Sequence, residues 1–224
     1  MEDLQKTVIE KALLVGLSAG IFTREENATE QTLDELEALL ETAGGQCAAK
    51  VLQNRPAPDP HSFIGEGKVD EVRELLETTG ANLVIFDNDL SPSQQRALEK
   101  MTGVSVMDRS GLILDIFAQR AKTREGRLQV ELAQYKYLLP RLTGMWTHLE
   151  RQEGSIGTRG PGETQLETDR RLIRKRIQKL EDELREVRKI RGVQRERRIK
   201  NSIPVVAIVA VSYTHLTLPT ICSV

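Results

Sequence analysis

The hydrophobic and polar positions follow different patterns in the two halves of the chain. In the first half, short apolar runs alternate with segments whose apolar residues recur at helical spacing. The runs are typical of buried strands, and the predicted strands are residues 12–17, 47–52, 83–86 and 104–107. Strands that alternate with helices favour right-handed crossovers. We therefore predict an α/β subdomain with a small, mostly parallel sheet.

Helix start and stop signals agree with this division. Capping boxes are predicted at Thr32 with Glu35 and at Ser91 with Gln94. Another helix is predicted over residues 68–79. Glycines suited to ending these helices are Gly44, Gly80 and Gly103.

The second half has the alternating four-residue and three-residue steps of a coiled coil. One predicted seam contains Leu128, Leu132, Tyr135, Leu139, Leu142 and Trp146, and the other contains Ile173, Ile177, Leu180, Leu184 and Val187. A capping box at Thr164 and Glu167 predicts that the second helix begins there and runs to about Lys200. We expect a long antiparallel α-helical hairpin, coiled-coil-like, whose two seams meet within one chain. The chain is therefore expected to be a monomer.

A glycine-punctuated loop lies between the two predicted helices. It contains Gly154, Gly157, Gly160 and Gly162, with Arg159 among them. A hairpin turn needs only one or two glycines. Because glycine permits close backbone approach and arginine binds phosphate with a planar fork, the loop is a candidate RNA contact.

The net charge of -1 hides a strong asymmetry. Residues 124–200 hold 20 Lys and Arg against 12 Asp and Glu, so an acidic body carries a basic arm. Basic segments bind polyanions with strong salt dependence. Arg170, Arg171 and Arg174 follow the glycine loop and favour nucleic-acid contact. The alternative is a coiled-coil face that is simply solvated, or that pairs as a structural interaction module.

Other candidate chemistry is weaker. Residues 65–68 (GEGK) form a turn whose Gly65, Gly67 and Lys68 would bind the phosphates of ATP or GTP, or simply start a helix. Asp87, Asp89 and Asp108 follow predicted strands, where caps and turns also need acids, so we predict neither catalysis nor a metal site. Two cysteines and no membrane-length apolar segment favour a cytoplasmic protein.

Several longer motifs resemble the HflX family of translational GTPases. They are residues 88–96 (NDLSPSQQR), 108–117 (DRSGLILDIF), 129–134 (QVELAQ) and 157–167 (GTRGPGETQLE), together with the 65–68 turn. The resemblance implies an α/β subdomain and a helical hairpin ahead of a GTPase domain that uses GTP and Mg²⁺. It also implies a protein that binds the large ribosomal subunit and splits stalled or idle ribosomes, notably under stress.

The same resemblance implies a role for the loop, which the family carries to the peptidyl-transferase region of 23S-type rRNA. The predicted RNA-binding residues are Gly154, Gly157, Thr158, Arg159, Gly160, Pro161, Gly162, Glu163, Arg170, Arg171 and Arg174.

The chain departs from the family pattern near its end. Residues 201–210 resemble the first strand of the GTPase domain, but neither glycine nor lysine occurs after Lys200. A G-x-x-x-x-G-K-[ST] loop needs both to hold phosphates. We therefore expect no enzyme activity and no bound cofactor for the chain as given, a fragment of its parent. The predicted divisions are residues 1–110, 111–200, 201–210 and a foreign or disordered tail at 211–224.

Overall fold

The computed structural model describes residues 10–23, 25–142 and 161–201, with side chains of the last segment described from residue 167. The described residues form four strands and six helices. Their bounds are β1 Lys11–Ala19, α1 Glu30–Ala43, β2 Gln46–Arg55, α2 Glu66–Thr79, β3 Leu83–Phe86, α3 Pro92–Thr102, β4 Ser105–Asp108, α4 Arg109–Arg120, α5 Arg124–Leu138 and α6 Pro161–Lys200. The predicted α/β class is confirmed.

The four strands form one sheet in the order β2-β1-β3-β4, and all three pairings are parallel. The strand β1 is central and almost entirely buried. Alternate side chains of β1 point to opposite faces of the sheet and enter two separate cores. Residues of α2 and α3 pack on one face of the sheet, and residues of α1 and α4 pack on the other, as expected for a parallel sheet covered on both sides.

Local signals place most helix ends correctly. Ser91 accepts a hydrogen bond from Gln94 N–H in the predicted capping box, with Pro92 as the first helical residue. The glycines predicted to stop α1, α2 and α3 are all left-handed, with φ of 92°, 66° and 76°. Glycine adopts that conformation without the steric cost that a Cβ imposes.

The predicted boundaries of α1 and α5 are wrong. The helix α1 is capped by Thr29 rather than Thr32, because Thr29 and Thr32 exchange hydrogen bonds in a capping box of their own. The first predicted seam leaves its helix at Leu138, where α5 ends, so Leu139 and Leu142 lie beyond it, and Trp146 lies outside the described residues. Pro140 lies two residues after Leu138, and proline has no N–H with which to continue the helical hydrogen bonds.

The helices α5 and α6 contact one another through the first part of α6. Leu180 and Leu184 are buried and Ile173 and Ile177 are partly buried, as the seam predicted. Arg176 pairs with Glu131 at 2.5 Å and Lys136 pairs with Glu181 at 2.7 Å. Residue numbers rise along both helices from the first pair to the second, so these contacts do not confirm the antiparallel direction.

A division into two compact units falls between Leu184 and Arg185. The first contains the sheet, α1 to α5 and the start of α6. In the second, the described part of α6 is exposed throughout residues 188–200. Of the predicted strand at 201–210 and the predicted tail at 211–224, all but Asn201 lies outside the described residues.

Gly16 allows β1 to pack closely against the start of α1. A Cβ at Gly16 would lie 2.6 Å from Ala28 Cβ and 3.3 Å from Leu52 Cδ1. Gly16→Ala should therefore destabilise the protein by about 1–3 kcal/mol through overpacking. Urea denaturation measures the change. Gly67→Ala is the control, because nothing lies within 4 Å of its Cβ and alanine favours a helix; equal stability of both variants would contradict the packing argument.

Candidate functional site

The predicted loop lies mostly outside the described residues, which exclude 143–160. This segment contains Gly154, Gly157, Thr158, Arg159 and Gly160. The remaining loop residues, Pro161, Gly162 and Glu163, form the start of α6. The predicted capping box at Thr164 is therefore wrong, since Thr164 lies inside the helix. Proline is favoured in the first helical position because its fixed φ suits the helix and its missing N–H is not needed there.

The three arginines that follow the loop lie on α6. Arg171 and Arg174 are exposed and Arg170 is partly exposed. Among the described residues, none of the three forms an ion pair. Arg176, in contrast, donates to Glu131 at 2.8 Å through Nε. The three predicted guanidinium groups are thus available to an external anion, while their neighbour on the same helix helps to hold α5.

The turn at residues 65–68 starts α2, with Gly65 as N-cap. Gly65 N–H donates to Gln53 Oε1 at 2.9 Å, and Lys68 Nζ lies 2.6 Å from Glu71. Helix initiation accounts for this geometry. Phosphate binding by Gly65, Gly67 and Lys68 stays a prediction.

A pocket of about 530 Å³ lies at the carboxyl end of the sheet. The strand order reverses between β1 and β3, which is the point where open α/β sheets commonly bind ligands. The pocket lining comes from the loop after β1, from α1, from the segment before α2, from the loop after β3 and from the first turns of α4. It includes Phe22, Glu25, Glu26, Glu35, Asp87, Asp89, Arg109 and Ser110.

Asp87 organises the polar side of this pocket. It is 5% exposed and accepts from Arg109 at 2.8 Å. Thr32 Oγ1 also donates to Asp87, and Arg109 reaches Glu35 at 3.0 Å. The lining has five carboxylates against one guanidinium, so it repels anions. A hydrogen bond from the Thr23 N–H lowers the pKa of Glu26, which keeps that carboxylate charged.

Sequence reasoning noted Asp87 and Asp89 but found no element converging on them. The structure brings Thr32 of α1 and Arg109 of α4 to Asp87, and Ser110 of α4 to Asp89. Ser110 Oγ donates to Asp89 at 2.8 Å. Arg109 bonds to both Asp87 and Glu35, and Glu35 lies 74 positions before it in the chain. No motif links such distant residues. Within the part of the chain that the structure describes, no cluster of His, Cys, Asp and Glu could hold a metal ion.

Asp108 is the centre of a second polar cluster, which is buried. The carboxylate is 1% exposed and caps α4 by accepting from Gly111 N–H at 2.9 Å. It also accepts from Tyr137 Oη at 2.9 Å and from Arg141 at 2.9 Å. The Arg141 guanidinium lies 3.6 Å from the centre of the Tyr137 ring. This cluster fastens α5 to the sheet.

Arg141 extends the cluster to α3 and its preceding loop. It donates to Leu90 O at 3.0 Å and to Gln95 Oε1 at 2.8 Å. One side chain therefore holds four parts of the body in fixed relation. Its role is structural, and the acidic pocket does not include it.

Two family models match the chain. The "GTP-binding GTPase N-terminal" model matches residues 30–118, and the "GTP-binding GTPase Middle Region" model matches residues 120–198. The fold and these two regions define the class as part of a GTP-binding GTPase.

Individual relatives give the family. GTPase HflX of Escherichia coli strain K12 is 50% identical over 206 residues, which cover 92% of this chain and 47% of the relative. GTPase HflX of Alkalihalophilus pseudofirmus is 49% identical over 215 residues, which cover 96% and 50%. The chain belongs to the HflX GTPase family, as the motifs predicted. It spans about half the length of these relatives.

Solved structures agree on the fold. A crystal structure of SsGBP and GDP complex has a TM-score of 0.59, with 21% identity, over 82% of this chain and 46% of that chain. A GTP-binding protein from Sulfolobus solfataricus in complex with GDP has a TM-score of 0.52, with 21% identity, over 81% and 47%. At this identity the likeness concerns the fold alone. Separately, no described helix is long and apolar enough to cross a membrane.

The Tyr137 hydroxyl gives the buried cluster a pH dependence. Burial, and then the charge of Asp108, raise the pKa of Tyr137 above its usual value of about 10. The protonated hydroxyl therefore stabilises the fold below pH about 10, and this contribution is lost as pH rises further. Tyr137→Phe should lower stability at pH 8 by about 1 kcal/mol, and the difference from wild type should narrow above pH 10.

Urea midpoints measured from pH 8 to pH 11 test this prediction. Tyr135→Phe, on the same helix, controls for removal of a tyrosine hydroxyl. A difference between wild type and Tyr137→Phe that stays constant across the range would show that the hydroxyl does not contribute in this way.

Proposed function

We propose that this chain is a ribosome-binding module of an HflX-type GTPase. Its basic arm binds the large ribosomal subunit through 23S-type rRNA, and its glycine-rich loop reaches a functional centre of that RNA. The exposed guanidinium groups of Arg171 and Arg174 are the observation that carries the proposal. They follow the loop directly and have no ion-pair partner among the described residues.

The opposite charge of the body supports this assignment. The pocket at the carboxyl end of the sheet is rich in carboxylates, so an RNA backbone is repelled there. Residues 124–200 have the excess of cations. Repulsion by the pocket and attraction by the cations both favour a polyanion bound to the arm.

The arm itself is proposed to be an antiparallel hairpin of α5 and α6. Buried Leu180 and Leu184 give α6 an apolar face on which an antiparallel helix can pack. A connection between two antiparallel helices is presented at their common end, which suits a loop that must insert into folded RNA. Since one seam meets the other within the chain, the module acts as a monomer.

The activity proposed for the full-length parent is GTP-dependent splitting of stalled or idle ribosomes, notably under stress, in the cytoplasm. GTP and Mg²⁺ would bind in its GTPase domain. Residues after Lys200 lack the glycine and lysine that such a site needs. We propose binding as the function of this chain and hydrolysis as the function of its full-length parent.

A loop variant tests the proposal. Arg159→Ala combined with Gly160→Ala removes the guanidinium group that would bind phosphate. It also adds a Cβ where the RNA must approach the backbone closely. Binding of the full chain to purified bacterial large ribosomal subunits should weaken by about tenfold or more, and its salt dependence should decrease. Pelleting of the subunits at several salt concentrations measures both effects.

The matched control changes the same residue types on the body. Arg120→Ala combined with Gly20→Ala alters two exposed positions away from the arm. This control should bind the subunits as wild type does. If the loop variant also binds like wild type with an unchanged salt dependence, the loop has no role in ribosome binding.

A further inference from the structure

The last part of α6 has an unusual arginine-rich face. Steps of three or four residues lead from Arg188 to Arg191, Arg195 and Arg198, so these four side chains share one side of the helix. We call this set the arginine face. All four residues are exposed.

Solvation alone explains this face poorly. Exposed helices usually alternate charges of opposite sign at these spacings, because neighbouring like charges destabilise the helix. Residues 185–200 have eight cations and only two acids, Glu186 and Glu196. Glu186 pairs with Lys189 at 2.6 Å, away from the face. Arg188, Arg195 and Arg198 have no ion-pair partner among the described residues.

Gly192 lies between the arginines on the same side of the helix. A glycine inside a helix costs about 1 kcal/mol relative to alanine. Nothing lies within 4 Å of the position that its Cβ would take, so packing within the described structure does not require it. A missing side chain among four guanidinium groups lets another molecule approach the helix backbone closely.

We propose that the arginine face binds the phosphate backbone of double-stranded RNA. The inference rests on the proposed function, in which RNA is the partner, and it adds a contact separate from the loop. All four cations are arginines, whose planar forks suit phosphate. They span roughly 15 Å along the helix axis, enough for several phosphates. No aromatic residue occurs in α6, so base stacking on single strands is not supported.

A charge-matched pair of variants tests the proposal. The first variant, Arg188→Gln with Arg195→Gln and Arg198→Gln, removes three cations from the face. The second, Lys189→Gln with Arg197→Gln and Lys200→Gln, removes three cations from the other sides of the same segment. Glutamine keeps a high helix propensity, and circular dichroism verifies that helix content is unchanged in both.

The probe is a fluorescently labelled RNA duplex of about 20 base pairs, and the full chain is titrated against it. The first variant should bind the duplex about tenfold more weakly, and its slope of log affinity against log salt should be shallower by about two. The second variant should stay within about twofold of wild type. That pair of results supports the arginine face.

Two results would overturn the proposal. Equal weakening of both variants would mean that only total charge matters. No weakening of the first variant would mean that the face does not bind duplex RNA. Neither result depends on the ribosome-binding loop, because both variants keep the loop sequence unchanged and the loop variant is measured on ribosomal subunits.

Discussion

The buried pair of Asp108 and Arg141 holds the first compact unit together. Taking two charges out of water is costly, and only a fully hydrogen-bonded geometry offsets that cost. Here each charge is surrounded by partners: a helix N-terminus and a phenol for Asp108, and a carbonyl and an amide for Arg141. Because these partners lie on different elements, the pair holds only when β4, α3 and α5 are all in place.

This pair also explains how the basic arm joins the acidic body. The chain leaves the sheet at Asp108, continues through α4 and α5, and returns to Asp108 at Arg141. The segment that contains α4 and α5, where the arm begins, is thereby held at Asp108 at both of its ends. Within the first compact unit, carboxylates line the pocket at the carboxyl end of the sheet.

Local sequence signals were enough to predict the fold class. The strand at Leu83–Phe86 matches its apolar run without error, and Ser91 caps α3 as its motif requires. Such features depend on neighbours within about four residues, which a sequence displays directly. Pro140 and Pro161 were also visible in the sequence. The predicted helix boundaries nevertheless followed the seam and capping patterns, which placed them elsewhere.

The polar clusters could not be predicted in the same way. Asp87 meets Thr32 and Arg109, and Asp108 meets Tyr137 and Arg141, through contacts made only when the sheet is assembled. Motif resemblance found the family, yet it did not identify either cluster. The predicted RNA contact of residues 154–160 lies outside the described residues and stays a prediction.

The central position of β1 has a consequence for synthesis of the protein. This apolar strand is the first element described, but its neighbours β2 and β3 lie far downstream, up to Phe86. A nascent chain therefore exposes an unpaired, aggregation-prone segment until both neighbours have left the exit tunnel. During that interval the apolar side chains on both faces of β1 are exposed to water.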